Sequence, residues 1–396
     1  MQDLLSLDLF AGAGGLSQGL GAAGYRTIYA SELEPTYAAT YALNHKDALV
    51  DAGDIRAVDA RDVRRTLGVR KGDLSLLAGG PPCQGFSINA PERRSDDERN
   101  SLFREFLRFA DEFRPRALLI ENVPGLVNFE RGQTLAAIFE ALDVLGYRSA
   151  VRIVYAPHFG VPQTRFRTIV IGLRTGDPEA AFPLQQFDAP MRVNFTSSWR
   201  GRKLVAVPDS RSRRPFTTVG TAISDLPPIV PGEGQAPKKY ATPATGWYQK
   251  AMRVGSRQVT HHEAGKLSAI NHERMKYIPP GGNWTDIPHA LLPKGMQMAR
   301  RSDHTKRYGR THPDDLACTI LTKCDPHWGA YLHYSQDRMY SVREAARIQS
   351  FPDLFRFEGS LMAQYEQVGN AVPPLLAKAL GESLARQLGV TRRRAS

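Results

Sequence analysis

The chain has 396 residues, 42% of them hydrophobic, which is enough for one large core and a second module. No stretch approaches the roughly 20 apolar residues of a transmembrane span, and the first residues lack the basic start of a signal peptide. We therefore expect a cytoplasmic protein with no membrane segment. Three cysteines are too few for a disulfide framework, which fits a reducing compartment.

The positive charge is concentrated in one part of the chain. The net charge is +12, and residues 185–336 contain 22 Lys and Arg against 11 Asp and Glu, so +11 of the +12 lies there. The same segment holds every tryptophan, namely Trp199, Trp247, Trp284 and Trp328. A scattered excess of basic residues would indicate only a soluble surface. A localised excess interleaved with aromatic residues favours nucleic-acid binding.

Short apolar runs alternate with helical segments up to about residue 175. The predicted strands are residues 4–10, 27–31, 73–78, 117–120 and 168–173, and the predicted helices are residues 16–23 and 101–113. This alternation predicts an α/β fold with a doubly wound, mostly parallel sheet. Beyond it Pro, Gly and Arg become frequent, which indicates a second, smaller and irregular domain. Helical periodicity returns at residues 342–349 and 374–388.

The first predicted strand runs into glycines at residues 8–15, Asp-Leu-Phe-Ala-Gly-Ala-Gly-Gly. Such a turn lets the backbone approach a ligand closely, as in dinucleotide-binding folds. Glu32 ends the second strand and is placed to hold ribose hydroxyls, in NAD or in S-adenosylmethionine. Asp54 follows a third strand, where it either accepts from an adenine amino group or caps a helix. An NAD-dependent oxidoreductase therefore stays open here, although Ser17 replaces the third glycine of its pattern.

A cysteine follows the fourth strand. Residues 79–87 read Gly-Gly-Pro-Pro-Cys-Gln-Gly-Phe-Ser and place Cys83 at the carboxyl end of a parallel strand, where open α/β sheets build their active sites. A buried structural cysteine fits poorly in a Gly/Pro loop. Redox chemistry also fits poorly, because no second cysteine lies within three residues.

The Pro-Pro-Cys-Gln sequence resembles the catalytic motif of the C5-cytosine DNA methyltransferases of bacterial restriction–modification systems. Further segments resemble that family's blocks in the same order. They are Glu-Asn-Val at 121–123, Gln-Thr-Arg-Phe-Arg at 163–167, the helical block at 341–352, and Gln-Val-Gly-Asn-Ala-Val-Pro-Pro at 367–374. Together they span almost the whole chain.

The resemblance implies a reaction and its residues. Attack of a Cys83 thiolate on C6 of cytosine would make C5 nucleophilic enough to take a methyl group. Glu121 would stabilise the charge that develops at N3 of the ring. Arg167 would contact the base directly, and Arg165 would be its positively charged neighbour. Because a base inside a duplex is out of reach, the target cytosine would flip out.

The resemblance also implies S-adenosylmethionine as cofactor and double-stranded DNA as partner. The implied cofactor residues are Phe10, Ala11, Gly12, Gly14, Glu32, Asp54, Ile55, Pro82, Leu102, Asn370 and Ala371. The candidate DNA contacts are Gln84, Ser87 and Arg99 in the loop after the nucleophile, and Arg300, Arg301, Arg307 and Arg310 in the basic segment. Cys318, Cys324, His327 and His333 match no zinc-finger spacing, so we expect no metal.

The expected organisation follows from these assignments. Residues 1–184 would form the catalytic and cofactor-binding domain and residues 185–336 the target-recognition domain. Residues 337–362 would form a hinge and the late helical block, and residues 363–396 would return to the catalytic domain. We expect a monomer associated with the bacterial nucleoid, with a cognate restriction endonuclease as a candidate partner.

Three alternatives accompany the DNA methyltransferase interpretation. Enzymes of the same family methylate cytosine in transfer RNA, but the long basic segment with its tryptophans favours a reader of duplex DNA. A DNA-binding protein with an inactive catalytic domain would have no need of Cys83, Glu121 and Arg165. The oxidoreductase interpretation leaves Cys83 and Glu121 unexplained.

Overall fold

The structure is a computed structural model that describes residues 3–81, 102–205, 213–234 and 236–389. The chain divides into two compact units. The first comprises residues 1–159, 166–214 and 372–396, and the second comprises residues 160–165 and 215–371. These limits differ from the domain limits expected from the sequence, because residues 185–214 belong to the first unit and residues 337–371 to the second. The functional roles expected of those segments remain predictions.

The described elements begin and end as follows. The strands are β1 (Leu4–Leu9), β2 (Tyr25–Glu32), β3 (Leu49–Ala52), β4 (Leu76–Gly79), β5 (Ala117–Asn122), β6 (Arg148–Tyr155), β7 (Phe166–Leu173), β8 (Phe187–Asp188), β9 (Ser198–Trp199), β10 (Arg202–Lys203) and β11 (Arg214–Pro215). The helices are α1 (Gly15–Ala22), α2 (Pro35–Asn44), α3 (Ala60–Thr66), α4 (Leu102–Phe113), α5 (Gln133–Val144), α6 (Val219–Ile223), α7 (Trp247–Met252), α8 (Ala269–Met275), α9 (Lys294–Gln297), α10 (Val342–Ile348), α11 (Leu361–Asn370) and α12 (Pro374–Gln387).

The first unit is built on a seven-stranded sheet with the order β3-β2-β1-β4-β5-β7-β6. Strands β1 to β5 pair in parallel, whereas β7 runs antiparallel to both of its neighbours. The predicted α/β class with a doubly wound, mostly parallel sheet is confirmed. The strand order reverses its direction between β1 and β4, and open α/β sheets bind ligands at the carboxyl ends of strands beside such a point.

Helices pack against the sheet through spaced apolar residues. On α4, Phe106, Phe109, Ala110 and Phe113 are fully buried, at the three- and four-residue spacing of one helix face. On α1, Gly19 allows close approach to α12, because a Cβ atom there would lie 2.3 Å from the carbonyl oxygen of Pro374. The C-terminal helix therefore completes the first unit.

The second unit consists of short helices and irregular chain around a buried ionic network. Arg347 on α10 donates to Asp353 at 2.6 Å and to Asp225 at 3.0 Å, and all three side chains are inaccessible to solvent. Helix α10 starts with a capping box in which Ser341 and Glu344 bond each other's backbone amides. Since the loss of one partner would leave a buried charge unpaired, this network holds the unit in one arrangement.

Among the described residues, the helices fall short of the length and apolar character that crossing a membrane requires.

Candidate active site

An ion pair lies at the carboxyl edge of the sheet in the first unit. The Nε atom of Arg167 is 2.6 Å from Oε1 of Glu121, and both side chains are largely buried. Because β7 is antiparallel to β5 and Glu121 pairs with Ile169, the start of β7 lies beside the end of β5. Arg167 is two residues before Ile169, so its side chain emerges on the same face of the sheet as Glu121. The pairing of these strands thus brings two predicted catalytic residues together.

The end of β4 is held beside this pair. Asn122 donates from Nδ2 to the carbonyl oxygen of Pro81 at 3.1 Å, and its Oδ1 accepts from the amide of Val123. A Cβ atom on Gly80 would lie 3.1 Å from Oε2 of Glu121, so the carboxylate lies close to the backbone of the strand end. The Asn122 contact was missed in the sequence analysis, although the residue follows Glu121 in the Glu-Asn-Val block.

The glycine-rich turn after β1 has an unusual backbone. Phe10, Gly12 and Gly14 have φ values of 59°, 56° and 94°, in the left-handed region that favours glycine. The amide of Gly12 donates to Oε2 of Glu32 at 2.7 Å, and the amide of Glu34 donates to Oε1 at 2.9 Å. Burial raises the pKa of Glu32 above its usual range, while these amide donors oppose the rise. Glu32 therefore ties the turn to the end of β2.

Two turns at the strand ends are open on the described part of the chain. Among the described residues, none has an atom within 4 Å of a Cβ atom built on Gly12 or on Gly53. Asp54 caps the short turn that starts at Ile55, accepting from the amide of Arg56, and its carboxylate also pairs with the Arg56 guanidinium at 2.6 Å. Asp54 therefore caps this turn, its contact with a cofactor stays a prediction, and the hydrogen bonds from Arg56 lower the pKa of Asp54.

Other predicted cofactor residues of the first unit are tied to the strand ends or to the core. Ala11 donates its amide to the carbonyl oxygen of Ser31. Ile55 is 5% exposed and belongs to the core. Phe10 and Leu102 are half-buried and pack against the same core.

A buried acid on β1 was not singled out by the sequence analysis. Asp8 is 1% exposed, and its Oδ2 accepts from Ser17 at 2.6 Å, while Tyr41 donates to the same serine hydroxyl at 2.7 Å. Among the described residues, Oδ1 of Asp8 has no hydrogen-bond partner. Burial raises the pKa of Asp8 to about 7. The only sequence signal was its place two residues before Phe10 in the glycine-rich block.

The whole chain matches a known family. The family model described as C-5 cytosine-specific DNA methylase matches residues 4–386. The type II methyltransferase M.AgeI of Thalassovita gelatinovora is 35% identical, over 96% of this chain and 98% of that protein. The type II methyltransferase M1.HphI of Haemophilus parahaemolyticus is 34% identical, over 97% of this chain and 87% of that protein. The chain belongs to the C-5 cytosine-specific DNA methylase family. The family expected from the sequence motifs is confirmed, and with it the enzyme class of DNA (cytosine-5)-methyltransferases.

Solved structures show the same fold. The structure of a DNA modification methyltransferase encoded within an E. coli prophage superposes with a TM-score of 0.72 at 23% identity, over 98% of this chain and 100% of its own. The S. pombe Dnmt2 methyltransferase superposes with a TM-score of 0.54 at 18% identity, over 97% of this chain and 99% of its own. The arrangement of β1 to β7 is therefore that of the methyltransferase fold.

Arg165, the other arginine of the methylase Gln-Thr-Arg-Phe-Arg block, belongs to the second unit. Its side chain is 1% exposed, and its guanidinium donates to the carbonyl oxygens of Ile320, Gly369 and Ala371 at 2.8–3.1 Å. The guanidinium therefore donates to three backbone carbonyl oxygens, and the role expected of Arg165 as the positively charged neighbour of Arg167 stays a prediction. Arg165 fixes the end of α11, where Asn370 is exposed and Ala371 is buried.

The four arginines expected to read DNA fall into three environments. Arg300 and Arg301 are exposed, whereas Arg307 is half-buried. Arg310 is 5% exposed and donates to the carbonyl oxygens of Ile278, His333, Gln336 and Met275 and to Asp337. The expectation that Arg310 reads bases is therefore wrong, because its guanidinium supports the protein interior instead.

Several predicted methylase residues lie outside the described residues, namely Pro82, Cys83, Gln84, Ser87 and Arg99. The residues considered for zinc are described. His327 contacts Asp325 and Tyr308, and His333 lies 3.5 Å from Glu344. Within the described ranges, no group of three or more His, Cys, Asp or Glu side chains is arranged to hold a metal ion.

Proposed function

We propose that this chain methylates carbon 5 of a cytosine within a specific double-stranded DNA sequence. The proposal includes S-adenosylmethionine as methyl donor, extrusion of the target base and a covalent bond between Cys83 and C6. The observation that carries it is the Glu121–Arg167 ion pair beside Pro81, because this strand end leads directly into Pro82 and Cys83.

The residues divide the chemistry between them. The Cys83 thiolate attacks C6 of the ring, the electron pair moves toward N3, and C5 gains the electron density that it needs to accept a methyl group. Glu121 faces the developing charge at N3, and Arg167, oriented by its ion pair, supplies fixed positive charge at the base. Loss of the C5 proton then expels the thiolate. Asn122 positions the strand end that carries the nucleophile, and Arg165 positions α11.

The turns after β1, β2 and β3 suit S-adenosylmethionine. No described residue lies within 4 Å of the Cβ positions of Gly12 and Gly53, which supports the approach of a ligand there, and the carboxylate of Glu32 accepts from the amide of Gly12. We propose that Phe10 and Leu102 pack on the adenine ring, that Asp54 accepts from its amino group and that Glu32 holds the ribose. Backbone groups of Ala11, Gly12 and Gly14, with Asn370 and Ala371, would bind the methionine end. When bound, this cofactor supplies an electrophilic methyl group on a sulfonium.

Glu32→Ala is expected to weaken S-adenosylmethionine binding roughly 10- to 100-fold, since a hydrogen bond to a charged acceptor contributes roughly 1.5–3 kcal/mol. Isothermal titration calorimetry measures the change. Glu32→Gln keeps one acceptor oxygen, so its affinity for S-adenosylmethionine is expected to lie between those of the unaltered chain and Glu32→Ala. Glu34→Gln is the matched control, because Glu34 is exposed and caps α2 without a side-chain bond. Unchanged affinity in Glu32→Ala would remove this residue from the cofactor site.

The basic segment and the relatives support a DNA substrate. Exposed Arg300 and Arg301 have no ion-pair partner among the described residues, so their charge is available to phosphates. The names of the type II relatives favour a role in restriction–modification, with an endonuclease that cuts the same site as the proposed partner.

Sequencing of methylated sites tests the function as a whole. The chain is expressed in a bacterial host that lacks cytosine-5 methylation, and genomic DNA and transfer RNA from the same cells are analysed by bisulfite sequencing. We expect protection of one cytosine in every copy of a single short DNA sequence and none in transfer RNA. Methylation confined to transfer RNA would contradict the proposal and favour the RNA-modifying branch of the family.

A further inference from the structure

A cavity of about 620 Å³ lies within the second unit and is separate from the residues assigned above to catalysis or cofactor binding. Its wall includes the indole of Trp328 and the cationic side chains of Lys266, Arg307 and Lys323. Cavities of this size hold small molecules or single nucleotides. We refer to it as the Trp328 pocket.

Trp328 is exposed on a well-braced turn. Its indole is 58% exposed, yet its amide donates to the carbonyl oxygen of Asp325 at 3.0 Å. Both ring nitrogens of the neighbouring His327 are hydrogen-bonded. Nδ1 lies 2.6 Å from Oδ1 of Asp325, and Nε2 lies 2.6 Å from the hydroxyl of the buried Tyr308. A Cβ atom at Gly329 would lie 2.5 Å from the Tyr331 ring. These contacts fix the backbone of the turn, and a large exposed aromatic side chain on a fixed turn is typical of a binding surface.

The rim of the pocket is positively charged. Lys266 and Lys323 are exposed and Arg307 is half-buried, and within the described ranges none of the three forms an ion pair. The carboxylate of Asp325 also lines the pocket, but the amide and ring of His327 both contact its Oδ1. The unbalanced charge at the rim is therefore cationic, which favours an anionic ligand.

The interior of the pocket is apolar. Met339 and Tyr365 line it at 2% and 5% exposure, and the Tyr365 hydroxyl is already bonded to the carbonyl oxygen of Tyr340. Burial raises the pKa of the Cys324 thiol well above its usual range, so this lining residue is neutral. An aromatic face, an apolar interior and a cationic rim together match a nucleotide, whose base stacks and whose phosphates carry negative charge.

We propose that the Trp328 pocket binds an unstacked nucleotide of the DNA substrate, with its base on the indole and its phosphates beside Lys266, Arg307 and Lys323. Paired bases in a duplex offer only their edges, so the face of Trp328 requires a base that has left the stack. Extrusion of a cytosine breaks a base pair and produces such nucleotides. This inference rests on the proposed function only for the identity of the nucleic acid.

Binding of a single-stranded hexadeoxynucleotide to the full chain without cofactor tests the pocket. A 2-aminopurine base in the oligonucleotide reports stacking, and fluorescence anisotropy gives Kd. Trp328→Ala is expected to weaken binding roughly 5- to 100-fold and to remove the stacking signal, whereas Trp328→Phe keeps most of both. Lys266→Ala combined with Lys323→Ala should reduce the slope of log K against log salt by about 1.4, near 0.7 per lost phosphate contact.

The controls separate the pocket from the fold and from the proposed function. Tyr277→Ala removes another exposed aromatic side chain of the second unit that does not line the pocket, and it is expected to bind like the unaltered chain. Wild-type affinity in Trp328→Ala, or tighter binding of the equivalent ribonucleotide, would overturn the inference. Duplex DNA methylation is measured in parallel. If the chain methylates DNA while Trp328→Ala binds normally, only the pocket proposal fails; if hexamer binding depends on Trp328 but DNA is not methylated, only the proposed function fails.

Discussion

Cys83→Ser is expected to lower DNA methylation by roughly four orders of magnitude or more, because a serine hydroxyl is a far weaker nucleophile than a thiolate. Affinity for DNA and for S-adenosylmethionine should stay close to that of the unaltered chain. DNA containing 5-fluorocytosine gives a second measurement. Its C5 fluorine cannot leave as a proton does, so the unaltered chain should form a covalent complex that survives denaturing electrophoresis, and Cys83→Ser should form none.

Cys318→Ser is the matched control for this result. The Cys318 thiol lies 3.6 Å from the carbonyl oxygen of Ala330, and burial raises its pKa to about 11, so it is not a thiolate at neutral pH. A serine hydroxyl can donate to the same carbonyl. We expect normal methylation and normal trapping. If Cys83→Ser methylated at the control rate, the covalent mechanism would have to be abandoned.

Glu121→Gln is expected to lower kcat roughly 10²- to 10⁴-fold with a smaller effect on KM. The carboxyl group stabilises the charge that develops at N3 during the reaction, rather than the bound substrate. The substitution keeps the size of the side chain and an oxygen that can accept from Arg167, so the strand ends should stay in place. Single-turnover methylation of a duplex oligonucleotide measures the chemical step, and thermal unfolding checks the fold.

Glu130→Gln provides the comparison on the same unit. Glu130 is exposed and accepts a hydrogen bond from Thr134, so its loss should leave the rate unchanged. A Glu121→Gln variant that turned over at the wild-type rate would show that the ion pair serves only to hold β5 and β7 together. An equal loss of rate in both variants would point to a general effect of removing negative charge.

Prediction from the sequence was accurate where the signal is local. The runs that form β1, β5 and β7 and the periodic segments that form α1, α4 and α12 were located within a few residues, because alternation and amphipathic spacing are properties of neighbouring residues. Strand β6 and helices α2 and α5 were not predicted. Strand β6 is apolar at most positions but carries Arg148 and Arg152, and α5 follows a turn in which Glu130 and Arg131 have positive φ.

The sequence alone determined the family and the fold class, because motifs keep their order along the chain, and it predicted the catalytic roles of Cys83 and Glu121. Only the tertiary structure decided which arginine side chains are surrounded by backbone carbonyl oxygens and which are not. Arg167 meets Glu121 because β7 is antiparallel to β5, whereas Arg165 and Arg310 are enclosed by backbone carbonyls from distant parts of the second unit. Burial of a guanidinium depends on contacts between segments far apart in sequence, and no local pattern distinguishes a buried arginine from an exposed one.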